Sequence, residues 1–591
     1  MKTFMTGNEA VARGAFEAGV VYASAYPGTP STEILENTAQ YPEIISEWAP
    51  NEKVALEAVL GASIAGGRAL AAMKHVGVNV AADPLMTISY TGVTGGLVLI
   101  SADDPGCHSS QNEQDNRILA KFAKIACIEP SDSQECLDYM KAAYEISEQF
   151  DVAVMMRMTT RVCHSKSLVE VGERVEKDLI PYVKRPEKYI AAPAHAKKLH
   201  PVVEAKLVEM EKFSNETPLN RIEWADKKVG IVTSGVAYQY AKEVFGENAS
   251  FLKLGFTNPL PMDKIRDFAS QVETLYVVEE LEPFMEEQIK AAGINCVGKE
   301  LIPNVGELNP DIIAKSLLGE VRPLLDIPQD KLVGRPPTLC AGCPHRGFFY
   351  ALKKKKNVMV TGDIGCYTLG ASEPLNTTDT VIDMGASISM GHGAQRVLDK
   401  AGKGMKVVSV IGDSTFFHSG ITSLIDVVYN RGNTVNVILD NRITGMTGHQ
   451  ENPGSGYTLT GQKVKEIEID KVVRALGVEL VINVNPLDLD AVTKALDAAL
   501  AYEGPSVIIT RWPCVLKKFS PEDIKEFGEK KPVCYVVEEE CRGCRLCNKT
   551  GCPAIVFDKT KKKSYIDPNA CVGCEVCLQV CPFKAIKKAG E

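Results

Sequence analysis

Residues 407–448, VVSVIGDSTFFHSGITSLIDVVYNRGNTVNVILDNRITGMTG, constrain the fold more than any other stretch. The apolar run at 407–411 reads as a buried parallel strand, and it stops at Gly412-Asp413-Ser414. Ile421, Leu424, Ile425 and Val428 then recur at helical spacing over 419–429. A second apolar run at 435–439 stops at Asp440-Asn441. This is a strand–helix–strand unit with its polar residues at the carboxyl ends of the strands, where ligands of open α/β sheets bind. Magnesium takes six oxygens in a tight octahedron, usually one or two carboxylates plus phosphate oxygens. Asp413 offers the carboxylate and Asn441 a neutral oxygen. Gly412 allows close backbone approach, and the helix start beyond it adds N–H donors and a positive dipole end.

The paired Gly-Asp-Ser and Asp-Asn resemble the diphosphate-binding motif of thiamine diphosphate enzymes. That family usually has Gly-Asp-Gly; Ser414 stands in place of the last Gly and suits a helix start.

The tail from residue 531 differs in kind. It reads Cys541-x-x-Cys544-x-x-Cys547-x4-Cys552-Pro553, then Cys571-x-x-Cys574-x-x-Cys577-x3-Cys581-Pro582. The second run matches the bacterial ferredoxin pattern, whose fourth cysteine ligates the other cluster. Cluster one is therefore expected on Cys541, Cys544, Cys547 and Cys581. Cluster two is expected on Cys552, Cys571, Cys574 and Cys577. The first run carries one extra residue before Cys552. Eighteen cysteines in a chain this long point to metal or clusters rather than to a disulfide scaffold. A net charge of −9 argues against a nucleic-acid surface. The start, MKTFMTGNEA, has no apolar signal core, and no apolar run reaches membrane-spanning length, so a cytoplasmic protein off the membrane is expected.

Elsewhere, 1–185 reads as a first α/β unit. A strand at 20–25 ends at the loop Tyr26-Pro-Gly-Thr-Pro-Ser-Thr-Glu33, either a plain strand-to-helix turn or a substrate or cofactor loop. The polar loop after the strand at 97–100 carries His108 and Arg117; it is either functional or a solvated helix cap. Residues 186–226 read as a linker around one short amphipathic helix (Val203, Leu207, Met210). Residues 227–325 restart an α/β pattern without a catalytic constellation. The unit at 330–515 begins with Cys340-Ala-Gly-Cys343-Pro-His345-Arg346. Its spacing alone suggests half a zinc site or a redox pair. No second matching pair lies nearby in sequence, so a cofactor-contacting loop with His345 at its end is preferred. Gly362-Asp363, in a segment ending at Cys366, and Met384, after a strand expected at 380–382, mark further strand ends at the same edge. Gly385, Gly391 and Gly393 open the next helix. Thr447, Gly448 and His449 follow the Asp-Asn turn and either reach the diphosphate end or form a plain loop.

Taken together, the chain resembles the alpha subunits of indolepyruvate:ferredoxin oxidoreductases, within the thiamine-diphosphate-dependent 2-oxoacid:ferredoxin oxidoreductase family. The most specific pieces are Tyr26 to Glu33, Asp103-Asp-Pro-Gly-x-His-Ser-Ser-Gln-Asn-Glu-Gln-Asp115, Cys340 to Arg346, the Asp413/Asn441 pair and the tail. The resemblance implies three doubly wound α/β domains and a bacterial-type ferredoxin domain. These are a pyrimidine-binding domain at 1–185, a transketolase-C-terminal-like domain at 227–325, a diphosphate domain at 330–515 and the clusters at 531–591. It implies oxidative decarboxylation of aryl pyruvates, with coenzyme A, to aryl-acetyl-CoA, carbon dioxide and reduced ferredoxin. It further implies a smaller beta subunit in an α2β2 assembly, thiamine diphosphate, magnesium and two 4Fe–4S clusters. Such enzymes need one glutamate beside the aminopyrimidine ring; Glu52 is the candidate and Glu57 the reserve. Thr29 is the candidate for the substrate carboxylate, and a carbonyl near Ile443 completes the magnesium ligands. The same chemistry on another 2-oxo acid, a non-oxidative decarboxylase and an electron carrier on a large scaffold are the competing readings.

Overall fold

The computed structural model describes residues 1–321, 327–529 and 531–590, in two units, Met1–Asp326 and Ile327–Glu591. In the first unit a seven-stranded sheet runs in the order Phe256–Asn258, Ala126–Ile128, Val154–Thr159, Leu97–Asp103, Ala69–Lys74, Tyr22–Ala25, Ile45–Trp48. All neighbours are parallel except the first pair. The central strands Leu97–Asp103 and Val154–Thr159 are buried along their whole length, which is why they read as continuous apolar runs. A second sheet runs Thr274–Val278, Val229–Ser234, Ser250–Leu254, Arg221–Glu223, with only the last strand antiparallel to its neighbour.

Two sequence expectations change here. Residues 186–226 are not a linker around a short helix. They hold the 24-residue helix Pro193–Glu216, with Val203, Met210 and Ser214 buried, and the edge strand Arg221–Glu223 of the second sheet. Pro201 costs the helix one hydrogen bond but does not end it, because burial along one face holds both halves in line. Nor does the region from 227 stand apart, since its strand Phe256–Asn258 pairs with Ala126–Ile128 and finishes the first sheet. Residues 322–325, the expected end of that region, lie outside the described residues.

Between the two sheets of this unit lies a buried ionic cluster. Arg157 donates from Nε to Asp103 at 2.8 Å and from Nη1 to Glu129 at 2.8 Å. Arg117 donates to Asp115 through Nε and Nη2, at 2.9 and 2.5 Å, and from Nη1 to Glu279 at 2.9 Å. Arg117 is thus neither on a functional loop surface nor on a solvated cap, being wholly buried. His108, by contrast, is exposed and lies 3.3 Å from Glu307.

The second unit is built on five parallel strands in the order Val358–Thr361, Lys406–Gly412, Val435–Asp440, Ser506–Arg511, Leu480–Val484. The helix after Gly412 starts at once, at Asp413, widens to a π-turn over Phe416–Gly420 and continues as Ile421–Tyr429. Three consecutive buried side chains, Phe416, Phe417 and His418, hide that first turn from a periodicity reading. The strand expected at 380–382 is only a bridge between Thr380 and Thr361. Gly391 and Gly393 lie inside the helix Ala386–Lys400, which Gly385 precedes.

The tail forms two small antiparallel pairs, Cys534–Val536 with Ile586–Lys588 and Ile555–Asp558 with Lys563–Ile566. Val576 packs with Leu487 and Leu489, and the Gln579 amide exchanges hydrogen bonds with Leu487 O (2.7 Å) and Leu489 N (2.9 Å). Among the described residues no helix is long and apolar enough to cross a membrane.

Candidate functional site

At the carboxyl edge of the five-stranded sheet, Asp413 is buried and accepts from Asn452 Nδ2 at 3.1 Å. Among the described residues no basic side chain pairs with it. Burial first, and then the negative charge of Asp440, push its carboxyl up to about 7. Asp440 itself faces the other way, onto Arg511 Nη1 at 2.6 Å and the Arg442 amide at 3.0 Å. Asn441 is oriented from both sides: its Nδ2 lies 3.4 Å from His345 Nε2, and its Oδ1 accepts from Ile443 N at 3.2 Å. Burial lowers His345 to about 4, so the imidazole is neutral and accepts from the amide. Thr444 Oγ1 donates to Ser414 Oγ at 2.9 Å, tying the Asp-Asn turn to the helix start. A buried carboxylate without a counter-cation, beside an amide oxygen, is the donor chemistry that magnesium takes. The residues present fit that ion and the diphosphate it carries.

Asp363 is used differently. Its carboxylate accepts from the backbone of Ile364, Gly385 and Ser387, at 2.8, 2.6 and 3.1 Å. Burial raises it to about 6 against those hydrogen bonds, and its oxygens hold the start of the Ala386–Lys400 helix. Gly362 cannot carry a side chain, since a Cβ would lie 2.4 Å from Thr378 Cγ2. Met384 O accepts from Ser419 Oγ at 3.3 Å, and Thr447 Oγ1 donates to Gln450 Oε1 at 2.6 Å.

The Cys340–Cys343 loop does not stand alone, contrary to its isolation in sequence. Cys366, after the first strand, and Cys514, after the fourth, interact electrostatically with each other and with both Cys340 and Cys343. A Cβ on Gly445 would lie 3.6 Å from both Cys366 Sγ and Asn441 Nδ2, and Cys514 N donates to Asn441 O at 3.0 Å. Four thiols thus gather beside the Asp413–Asn441 edge. Cys366 and Cys514 share a signal in the sequence, a cysteine just past a strand end.

In the tail, Cys541, Cys544, Cys547 and Cys581 line one cavity. Cys552, Cys571, Cys574 and Cys577 line another, together with Cys534. Among the described residues no three His, Cys, Asp or Glu side chains converge on a single point as a lone zinc ion needs. Thiols spread around a cavity suit a cube-shaped cluster instead, so both sets fit a 4Fe–4S group. Sequence reasoning missed Cys534, whose N–H donates to Cys571 Sγ at 3.3 Å.

In the first unit, Glu52 begins the helix Glu52–Ile64, which Asn51 caps at Val54 N (2.9 Å). Glu52 is 6% exposed, whereas Glu57 faces solvent and pairs with Lys53. Gly77 makes room for Glu52: a Cβ there would lie 2.7 Å from both Cγ and Oε1 of the glutamate. Thr29 is half-buried, and its carbonyl accepts from Ser109 Oγ at 3.3 Å. Lys74, at the end of its strand, donates to Ser109 O at 2.5 Å, and burial lowers its ammonium to about 8. Asp104 would be raised by burial, but hydrogen bonds from Ser110 and Thr160, each 2.6 Å, outweigh it and hold the carboxyl below its ordinary value. Lys74, Gly77 and Asn452 carried no motif that sequence reasoning could use, whereas Ser109 belongs to the Asp103–Asp115 motif.

Three family models match the chain. "Pyruvate flavodoxin/ferredoxin oxidoreductase, thiamine diP-bdg" matches 13–229, "Thiamine pyrophosphate enzyme, C-terminal TPP binding domain" matches 363–510, and "4Fe-4S binding domain" matches 564–587. The chain is 42% identical to the indolepyruvate oxidoreductase subunit IorA of Archaeoglobus fulgidus, over 100% of this chain and 98% of that one. The subunits of the same name from Pyrococcus horikoshii and Methanothermobacter thermautotrophicus are 41% and 40% identical, over 100% of this chain and 97% and 98% of theirs.

Proposed function

Because the chain belongs to the family of indolepyruvate oxidoreductase IorA subunits, we propose that it oxidatively decarboxylates aryl pyruvates such as indolepyruvate and phenylpyruvate. Coenzyme A takes the acyl group and ferredoxin the electrons. The observation that carries the reading is the Asp413–Asn441 pair, a buried acid without a cation beside an oriented amide, inside the segment that matches the thiamine-binding model. Asp413, Asn441 Oδ1 and the Ile443 carbonyl would hold magnesium, which would supply the charge that binds the diphosphate. Thiamine diphosphate supplies the electron sink for loss of carbon dioxide. Glu52 would supply the carboxyl for the aminopyrimidine ring of that cofactor, and Gly77 leaves the carboxyl its space. Thr29, with the Lys74 ammonium on the same edge, receives the substrate carboxylate.

Cys541/Cys544/Cys547/Cys581 and Cys552/Cys571/Cys574/Cys577 would hold two tail clusters, which would supply one-electron acceptors. The quartet Cys340, Cys343, Cys366 and Cys514 has the donors for a third, nearer the magnesium ligands. A smaller subunit completes an α2β2 assembly in the cytoplasm, where thiols stay reduced.

The test is an anaerobic assay of the chain co-purified with its smaller partner, with ferredoxin reduction as readout. Indolepyruvate and phenylpyruvate should outperform pyruvate, and a preference for pyruvate would reject the aryl assignment. Glu52→Gln should abolish turnover with the cofactor still bound; unchanged turnover rejects its role. Iron near about eight per chain supports the tail clusters alone, and about twelve adds the third.

A further inference from the structure

We infer that Arg346 is the buried counter-ion of the cluster on Cys552, Cys571, Cys574 and Cys577, and that its charge raises that cluster's reduction potential. The inference rests on the reading that these four thiols hold a cluster.

Arg346 sits in the first turn of the helix His345–Leu352, directly after the Cys340–Cys343 loop, and is 2% exposed. Its hydrogen bonds end on neutral carbonyl oxygens: Thr550 O from Nη1 at 2.8 Å, and Leu339 O and Cys340 O from Nη2 at 2.5 and 2.9 Å. Its Nε has no partner. A guanidinium stays charged at any ordinary pH, and burying it among dipoles alone is costly. Arrangements of this kind persist when an anion lies close by.

The anion is identified by the cavity. Arg346 lines it together with Cys552, Cys571, Cys574 and Cys577. Its Nη1 lies 3.2 Å from where a Cβ on Gly551 would sit, next to Cys552. A 4Fe–4S cube on four thiolates carries about two negative charges when oxidised and about three when reduced. A fixed cation beside it stabilises the reduced form more, so an added electron is held more tightly. The second cavity has arginines too, but Arg542 and Arg545 are exposed and water screens them.

The position also suits electron entry. Arg346 joins Cys340 O of the sheet-edge loop to Thr550 O of the tail, and in the same seam Gly342 touches Val572 so closely that a Cβ would lie 2.0 Å from Cγ2. The guanidinium therefore bridges the sheet-edge loop and this cluster's loop.

The experiment uses the co-purified complex carrying Arg346→Gln or Arg346→Lys. It measures iron and acid-labile sulfide, then follows each cluster's paramagnetic signal in a redox titration. Wild-type iron content tests the cluster reading separately: too little iron for two tail clusters overturns that reading, not the role of the arginine. With wild-type iron, Arg346→Gln should move one tail-cluster midpoint to more negative potential and leave the other tail cluster's in place. That signal should be the one that Cys571→Ser perturbs. Arg346→Lys, which keeps the charge, should restore most of the shift. Unmoved midpoints in a fully loaded Arg346→Gln complex overturn the inference. Should Arg346→Gln lose the cluster, Arg346→Lys decides: retention near the wild-type potential supports a counter-ion, and loss in both overturns it in favour of a purely geometric clamp.

Discussion

Asp103 and Asp413 are both buried carboxylates at the carboxyl end of a parallel strand, yet their surroundings differ. Asp103 meets Arg157 at 2.8 Å and belongs to a cluster that a second guanidinium, Arg117, ties to Asp115 and Glu279. Asp413 meets the Asn452 amide at 3.1 Å, and among the described residues no cation. The first cluster is closed by the chain's own charges and holds two sheets together. The second site is left open, and an open buried charge is held in reserve for something that binds. Burial of an acid is therefore no pointer to function by itself; the absence of its partner is.

The contrast can be broken most directly at Arg117. Arg117→Met should destabilise the first unit by about 3–5 kcal/mol, since it strands buried carboxylates without a cation. A denaturant midpoint close to wild type would show that the cluster is not closed by that residue. At the open site the loss should fall on binding instead. Asp413→Asn in the magnesium-stripped complex should weaken uptake of magnesium and thiamine diphosphate by about 100-fold, or about 2.7 kcal/mol, in a calorimetric titration. Its unfolding temperature without cofactor should not drop, because the amide relieves a lone buried charge.

The smallest effect sharpens the closed side. Glu280, in the same ionic region, is raised to about 7, chiefly by burial and against the pull of Arg157 and Arg117, with Glu307 adding to the rise. The folded chain then holds a proton that the unfolded chain releases near its ordinary value of 4.5. Stability must fall as pH rises from about 4.5 towards about 7, by on the order of 1–3 kcal/mol for this group. Glu280→Gln keeps the acceptor for Leu308 N and should flatten that slope in unfolding measured across the range.

The parallel sheets were legible because strands buried on both faces leave uninterrupted apolar runs, as at 407–411 and 435–439. The Asp413 and Asn441 positions were legible because a strand that ends at an acid or amide stands out in such a run. The tail was legible from spacing alone. What the residues concealed was contact between distant segments. Nothing near Asn452 announces that its amide meets Asp413, and nothing near Gly77 that Glu52 occupies its missing side chain. Cys366 and Cys514 lie 148 positions apart and are joined only by the order of the strands that precede them. Pro201 does not end its helix, because tertiary burial outweighs a local breaker.

The strand Phe256–Asn258 has a bearing on how the molecule is made. A ribosome working from the amino end releases the first sheet with an edge missing, and that edge stays bare until the chain beyond residue 258 has emerged. The two sheets of this unit are then stitched together as they are born, which makes them poor candidates for exchange as separate modules between proteins.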